Sequence, residues 1–208
     1  DIETSGNYAT AIQLDSNGNA GANPYMTVNT TGGHIQTSGD YAHGMYLYAP
    51  GSGQGVVDNA ADITTFGNTS RGMFIYAGGN SSATNSGTLT TSGADAEGAY
   101  LSSILGDTSF LNTGHIETSG VGARGFHIVT QNGTANVDQL GTILTAGDYS
   151  HGFIAATGRG DLTVNMSGSV ETQGQEASGL YLSTNYGTAD ISVSGDVMTS
   201  GVGGLGVR

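Results

Sequence analysis

One unit of about 27 residues repeats along the whole chain, and this restricts the fold more than any single motif. Aligned on Ile2, Ile35, Ile63, Leu89, Ile116, Ile143, Val170 and Val197, the copies are spaced by 33, 28, 26, 27, 27, 27 and 27 residues. Let the aligned aliphatic residue be position zero. Plus two is then Thr in all eight copies, Thr4 to Thr199, and plus four is Gly in all eight, Gly6 to Gly201. Plus seven is always Ala, Ser or Gly, and plus nine is Gly in every copy but the first, where Ala11 stands. Plus ten is always apolar, from Ile12 to Val207, and a third apolar segment follows, as in Leu162, Val164 and Met166.

Within each segment apolar residues recur every second position, the period of a strand, and no segment sustains a period of 3.6. Each unit therefore predicts three short strands separated by Gly-rich turns. Three strands per unit, with no crossover helix, describe one coil of a parallel β-helix. The expected fold is all-β: a solenoid of about eight coils of about 27 residues, each strand lying about 4.8 Å from its copy in the next coil. Stacked Thr suits a strand, and its hydroxyl is expected to bond along the ladder. Gly at plus four and plus nine serves either a turn with positive φ or a close approach of backbones. The longer first unit places a loop insertion at residues 17–25. Without an internal linker or shift in composition, residues 1–208 are expected to be a single domain. Asp1 begins inside the pattern, as expected of a mature chain or an excerpt.

Composition removes several classes of function. Four Arg and no Lys stand against seventeen acids, a net charge of −13. Such a chain offers little to a phosphate backbone and is repelled by anionic membranes. No apolar run approaches the roughly 20 residues of a membrane helix. Gly is abundant, at 37 residues, but has no three-residue period, so collagen is excluded. With no Cys there is no disulfide framework and no thiolate metal site.

The string Ile35–Gly44 (IQTSGDYAHG), with Leu89–Gly98 (LTTSGADAEG) and Asn85–Gly93 (NSGTLTTSG), resembles repeats of autotransporter passenger domains of Gram-negative bacteria. The resemblance covers nearly all 208 residues. It implies a right-handed, pertactin-like β-helix, carried to the bacterial cell surface by a C-terminal outer-membrane barrel outside this sequence. It further implies a secreted adhesin, self-associating protein or toxin, hence a role in virulence. The partner would be a host-cell protein, a matrix component, a glycan or the chain itself.

Three surface features stand out. Plus eleven and plus thirteen alternate with buried positions, so Tyr46, Tyr48, Phe74, Tyr76 and Tyr100 are expected to form one outward aromatic cluster over three coils. Such a patch either stacks on sugars, anchors a partner, is covered by another part of the protein, or only stiffens the rod. Arg159, Gly160 and Asp161 fall in an expected loop and resemble an integrin-recognition tripeptide, or else form a simple Gly-rich turn. Arg71, Glu97 and Arg124 share plus eight in adjacent coils, with His151 following, and are expected to support register by about 0.2–1 kcal/mol per pair.

No cofactor or metal is expected. His34 and His115 share a column three coils apart, and His43 and His151 share another four coils apart, too far to hold one ion. All five histidines are expected at the surface or in turns. Gly-Asp pairs such as Gly39-Asp40 and Gly106-Asp107 lack the short period of a calcium roll. The acids lie in different columns and no Lys is present to act as a base, so an enzyme is not expected, although many β-helices act on polysaccharides. A purely structural spacer is the main alternative to adhesion. Ice binding through the Thr column is a further one, weakened because plus two shares the inward parity of position zero.

Overall fold

The computed structural model describes residues 1–16 and 23–208. Every regular element among them is a strand, and all ladders are parallel. Sheet A runs from Ile2–Thr4 through His34–Thr37 to Asp196–Thr199 and has eight strands. Sheet B comprises Ile12–Asp15, Met45–Ala49, Met73–Ala77, Ala99–Ser103, Phe126–Thr130, Phe153–Thr157 and Leu180–Thr184. Sheet C runs from Tyr25–Thr30 to Ala189–Val193 with seven strands. The chain visits A, B and C in turn, so the fold is a β-solenoid of three strands per coil. It has seven complete coils where the repeat count predicts eight. The eighth repeat adds only Asp196–Thr199 and a bridge from Val207 to Leu180. Of the expected 17–25 insertion, residues 17–22 lie outside the described residues, and Tyr25 is already the first residue of a strand.

Pairing is in register with the repeat. Ile63 lies beside Leu89, Leu89 beside Ile116, and Ile116 beside Ile143. These residues are buried with Met45, Leu47, Met73, Ile75 and Leu101 in one continuous core. Phe126 stacks on Phe153 at 4.5 Å, and Phe110 meets Phe126 edge-on at 4.8 Å.

The invariant Thr column faces inward, with Thr37, Thr65, Thr91, Thr118, Thr145 and Thr172 buried. Its hydroxyls do not run along the ladder as expected. From Thr4 to Thr172, each closes the corner between sheets A and B by donating to the plus-seven carbonyl of its own coil. Examples are Thr37 to Ala42 at 2.5 Å, Thr145 to Ser150 at 2.7 Å and Thr172 to Ala177 at 2.9 Å. The column is thus fully engaged and presents no flat Thr surface.

Of the two roles open to the plus-four glycines, close approach is the one used from Gly39 to Gly201, while Gly6 alone takes a positive φ, of 103°, with open space beside it. A Cβ on Gly67 would sit 1.9 Å from the carbonyl oxygen of Gly39. The left-handed turn falls instead at plus six. There Tyr8, Tyr41, Thr69, Asp95, Tyr149 and Glu176 have φ between 53° and 64°, and Gly122 and Gly203 take 69° and 78°. The ladder itself demands this conformation, because each plus-six N–H donates to a carbonyl in the following coil. Tyr41 donates to Asn68 at 3.0 Å and Tyr149 to Gln175 at 2.8 Å. The plus-five side chains brace the corner: Asp40 Oδ1 accepts from Asn68 N–H at 2.8 Å, and Asn68 Oδ1 accepts from Ala94 N–H at 3.0 Å.

At the corner from sheet C to sheet A a file of buried amides runs along the rod. Asn59 donates to Asn85 at 2.9 Å, Asn85 to Asn112 at 2.9 Å, and Asn112 to Gln139 at 3.0 Å. The sequence reading did not single these out. Their column continues as Met166, which ends the file.

Three outcomes follow for stability. Gly67→Ala is expected to cost about 3 kcal/mol or more, because backbone must move. Tyr149→Gly relieves left-handed strain and is expected to gain up to about 1 kcal/mol net of the added chain entropy. Asn85→Leu leaves one N–H of the Asn59 amide, whose other bond to the Ala61 carbonyl remains, and the carbonyl of Asn112 unpaired in the interior, a loss of about 2–4 kcal/mol. Urea unfolding curves of the three variants against the parent check all of this.

Candidate functional site

The outer face of sheet B carries the expected aromatic cluster. Register places Tyr46 beside Phe74, Phe74 beside Tyr100, and Tyr48 beside Tyr76. All five rings are half-buried. Because strands repeat about every 4.8 Å, near the thickness of stacked rings, the rings align like coins. Tyr46 and Phe74 are 4.9 Å apart and within 7° of parallel; Phe74 and Tyr100 are 5.4 Å apart and within 8°. Tyr48 and Tyr76 form a second stack at 5.0 Å. Most ring faces are therefore covered by other rings. The file shows solvent its edges and, from the tyrosines, its hydroxyl ends.

Beside this file runs the plus-eight column, which holds more than register. Glu97 is buried, with 3% of its side chain exposed, and bridges two coils. Its Oε2 accepts from Arg71 Nε at 2.5 Å and its Oε1 from Arg124 Nη1 at 3.1 Å. Burial alone would raise the Glu97 pKa and is the largest single influence. His127, the Arg71 charge and hydrogen bond, and the Arg124 charge together outweigh it and hold the carboxyl below its ordinary range. His127 Nδ1 stands 3.9 Å from Oε1, beyond hydrogen-bond distance. The Arg71 guanidinium also lies 5.4 Å from the Phe74 ring centre and 4.9 Å from that of Tyr100, fixing a cation against the aromatic file.

His43 lies in the corner between His34–Thr37 and Met45–Ala49, within the expectation of surface or turn histidines, but not at the surface. It is buried, at 7% exposure, and its ring lies 5.6 Å from Tyr46 and 5.5 Å from Phe74. Its Nδ1 accepts the Arg71 backbone N–H at 3.1 Å. His151, half-buried in the same column, accepts the Ser178 N–H at 2.9 Å in the same way. The column thus places an imidazole acceptor where the next coil offers a corner N–H.

The structure does not bring Arg159, Gly160 and Asp161 to this face. They lie two coils beyond Tyr100, in the turn between Phe153–Thr157 and Leu162–Met166. Arg159 and Asp161 are exposed. Asp161 Oδ1 accepts both the backbone N–H of Thr188 at 2.8 Å and its hydroxyl at 2.9 Å, and the backbone bond is the main cause of its lowered pKa. Asp107 makes the same bond to Thr134 N–H at 2.8 Å. The Gly-Asp unit here is a repeated device of the sheet B to sheet C corner.

Where the aromatic file meets the first coil, a cleft of about 330 Å³ opens. It is lined by Tyr8, Thr10, Gln13, Tyr41, His43 and Tyr46. Tyr8 and Tyr41 form one wall as a parallel pair 5.1 Å apart. The sequence reading missed both. Tyr recurs at plus six in Tyr8, Tyr41 and Tyr149, but only the corner geometry shows these side chains to stand out from the rod.

Titration of His43 gives a pH dependence. Burial, with the Arg71 charge adding to it and Glu97 opposing, lowers its pKa from 6.5 to about 4. The unfolded chain takes up this proton near pH 6.5, the folded chain only near pH 4. The contribution is therefore whole above pH 6.5 and is lost progressively down to about pH 4, by about 3 kcal/mol. His151, lowered by burial and then by the Arg124 charge, acts in the same direction. Glu97, held below its ordinary range, loses its share only at lower pH. Urea midpoints measured from pH 7 to pH 4 are expected to fall, and His43→Gln, which keeps an acceptor, is expected to flatten the upper part of that fall.

No protein-family model, curated protein or solved structure matches the chain.

Proposed function

We propose that this chain is a length of a secreted, bacterial cell-surface β-helical passenger that works by contact, through adhesion to a host, matrix or glycan surface or through self-association. The observation that carries the reading is the outer face of sheet B, where five aromatic rings and Arg71 form one file on an otherwise mostly polar, acidic rod. The outward positions of sheet A in the same coils are His34 and Gln36, Asp62 and Thr64, and Thr88 and Thr90. A file that served stiffness alone would need no tyrosine hydroxyls at its rim. The repeat style supports surface display, and the net charge of −13 keeps a long rod soluble by self-repulsion. One observation favours the spacer reading: the rings satisfy one another, at 4.9 to 5.4 Å along the main stack.

Beads coated with this chain, mixed with epithelial cells, with immobilised matrix proteins and with one another, separate the two. Adhesion predicts attachment or clumping that is lost in the triple variant Tyr46→Ser, Phe74→Ser, Tyr100→Ser with an unchanged β circular dichroism spectrum. Should the triple variant unfold, Tyr100→Ser at the end of the file is used alone. Attachment that survives the loss of these rings, or a parent chain that attaches to nothing, overturns the proposal.

A further inference from the structure

We infer that the cleft between Tyr8, Tyr41 and Tyr46 is a binding site for a neutral saccharide. The inference rests on the contact reading above and names the chemistry that one end of the aromatic file would take.

Two exposed rings at the same corner position are the first indication. Tyr8 and Tyr41 sit at φ 64° and 56°, where a Cβ costs about 1–2 kcal/mol. The same column accepts Gly at Gly122 and Gly203, so the corner does not require tyrosine. Nor does the core: Tyr8 is 72% exposed and Tyr41 47%. Two large rings are thus held in an unfavourable backbone state, in adjacent coils, without being buried. All eight repeats hold plus six in this state, so it is the pair of exposed rings in adjacent coils that marks this corner.

Shape and chemistry select the ligand. A space of about 330 Å³ is at the lower end of small-ligand pockets and suits one or two sugar rings. A protein partner would ask for about 800 Å² on each side, far more than this cleft provides. The walls are aromatic, and the ring surface they leave open offers an apolar contact to the C–H face of a pyranose. Thr10 and Gln13 line the same space, and the side chains of Thr10, Gln13, Tyr8, Tyr41 and Tyr46 make no hydrogen bond to another described residue. Several hydroxyl and amide groups are therefore free to meet sugar hydroxyls. None of the six lining residues is Lys, Arg, Asp or Glu, and the chain carries a net charge of −13. An acidic glycan would find repulsion and no counter-charge.

Saturation-transfer NMR with maltotriose, triacetylchitotriose, methyl β-galactoside and a heparin tetrasaccharide tests this, with tyrosine fluorescence giving the affinity. The inference expects saturable transfer to at least one of the three neutral sugars and none to heparin. Affinity is expected to weaken about tenfold or more in the double variant Tyr8→Gly, Tyr41→Gly. That variant places at plus six the residue that Gly122 and Gly203 already supply, so the fold is retained. Tyr149→Gly, at the same kind of corner but away from the cleft, is expected to bind as the parent does. No transfer to any neutral sugar, transfer to heparin alone, or transfer unchanged in the double variant overturns the inference. Coated beads that still clump while no sugar binds would remove the saccharide site and leave the contact reading standing. Sugar binding with beads inert towards cells, matrix and one another would do the reverse.

Discussion

Between the two end coils, the described residues of each strand and corner lie between two copies of their own position, and the parallel ladder that joins them runs through the corners as well as the strands. The rest of the structure follows from that constraint. A corner with an uninterrupted ladder must repeat its backbone on each coil, so the left-handed residue at plus six recurs in all eight repeats whether it is Tyr, Thr, Asp, Glu or Gly. Glycine is kept for plus four, where a Cβ on Gly39 or Gly67 would meet a carbonyl oxygen of the coil before at 2.0 or 1.9 Å. Strained tyrosines and unstrained glycines are both consequences of stacking at about 4.8 Å.

The same spacing decides what side chains can do for one another. Rings stack on rings, amides on amides, and the plus-two Thr hydroxyls from Thr4 to Thr172 close their own turns. The file Asn59–Asn85–Asn112–Gln139 carries polarity through the interior because each amide has a donor and an acceptor aligned with its neighbours. It ends where Met166 enters the column. The surface obeys the same rule. Ring faces in the Tyr46–Phe74–Tyr100 stack are mostly spent on one another, and the chemistry left for a ligand lies at the rim and at the first-coil end, beside Tyr8 and Tyr41.

Charge is arranged by contrast. Most acids are solvated and repel each other along the rod. Glu97 alone among them is buried, and it is held between Arg71 and Arg124, two of the four basic residues. A pair across one strand spacing at the surface would be worth little. A carboxylate removed from water between two guanidiniums fixes the spacing of three coils beside the aromatic file, and it holds Arg71 against Phe74 and Tyr100.

The sequence by itself determined the repeat, the three strands per coil, the inward Thr column and the outward aromatic file, because side-chain alternation along a strand is local and shows as a period of two. The Asn column was equally present in the sequence, as Asn59, Asn85 and Asn112, but it interrupts an apolar segment and signals itself only when adjacent coils are laid side by side. The tertiary structure alone decided the left-handed conformation at plus six, the closing of corners by Thr hydroxyls, the burial of His43 and Glu97, and the cleft between Tyr8, Tyr41 and Tyr46. The seven complete coils in place of eight also emerged only there. Each depends on hydrogen bonds and packing between residues a full coil apart or across a corner, where backbone direction changes and strand alternation no longer says which way a side chain points.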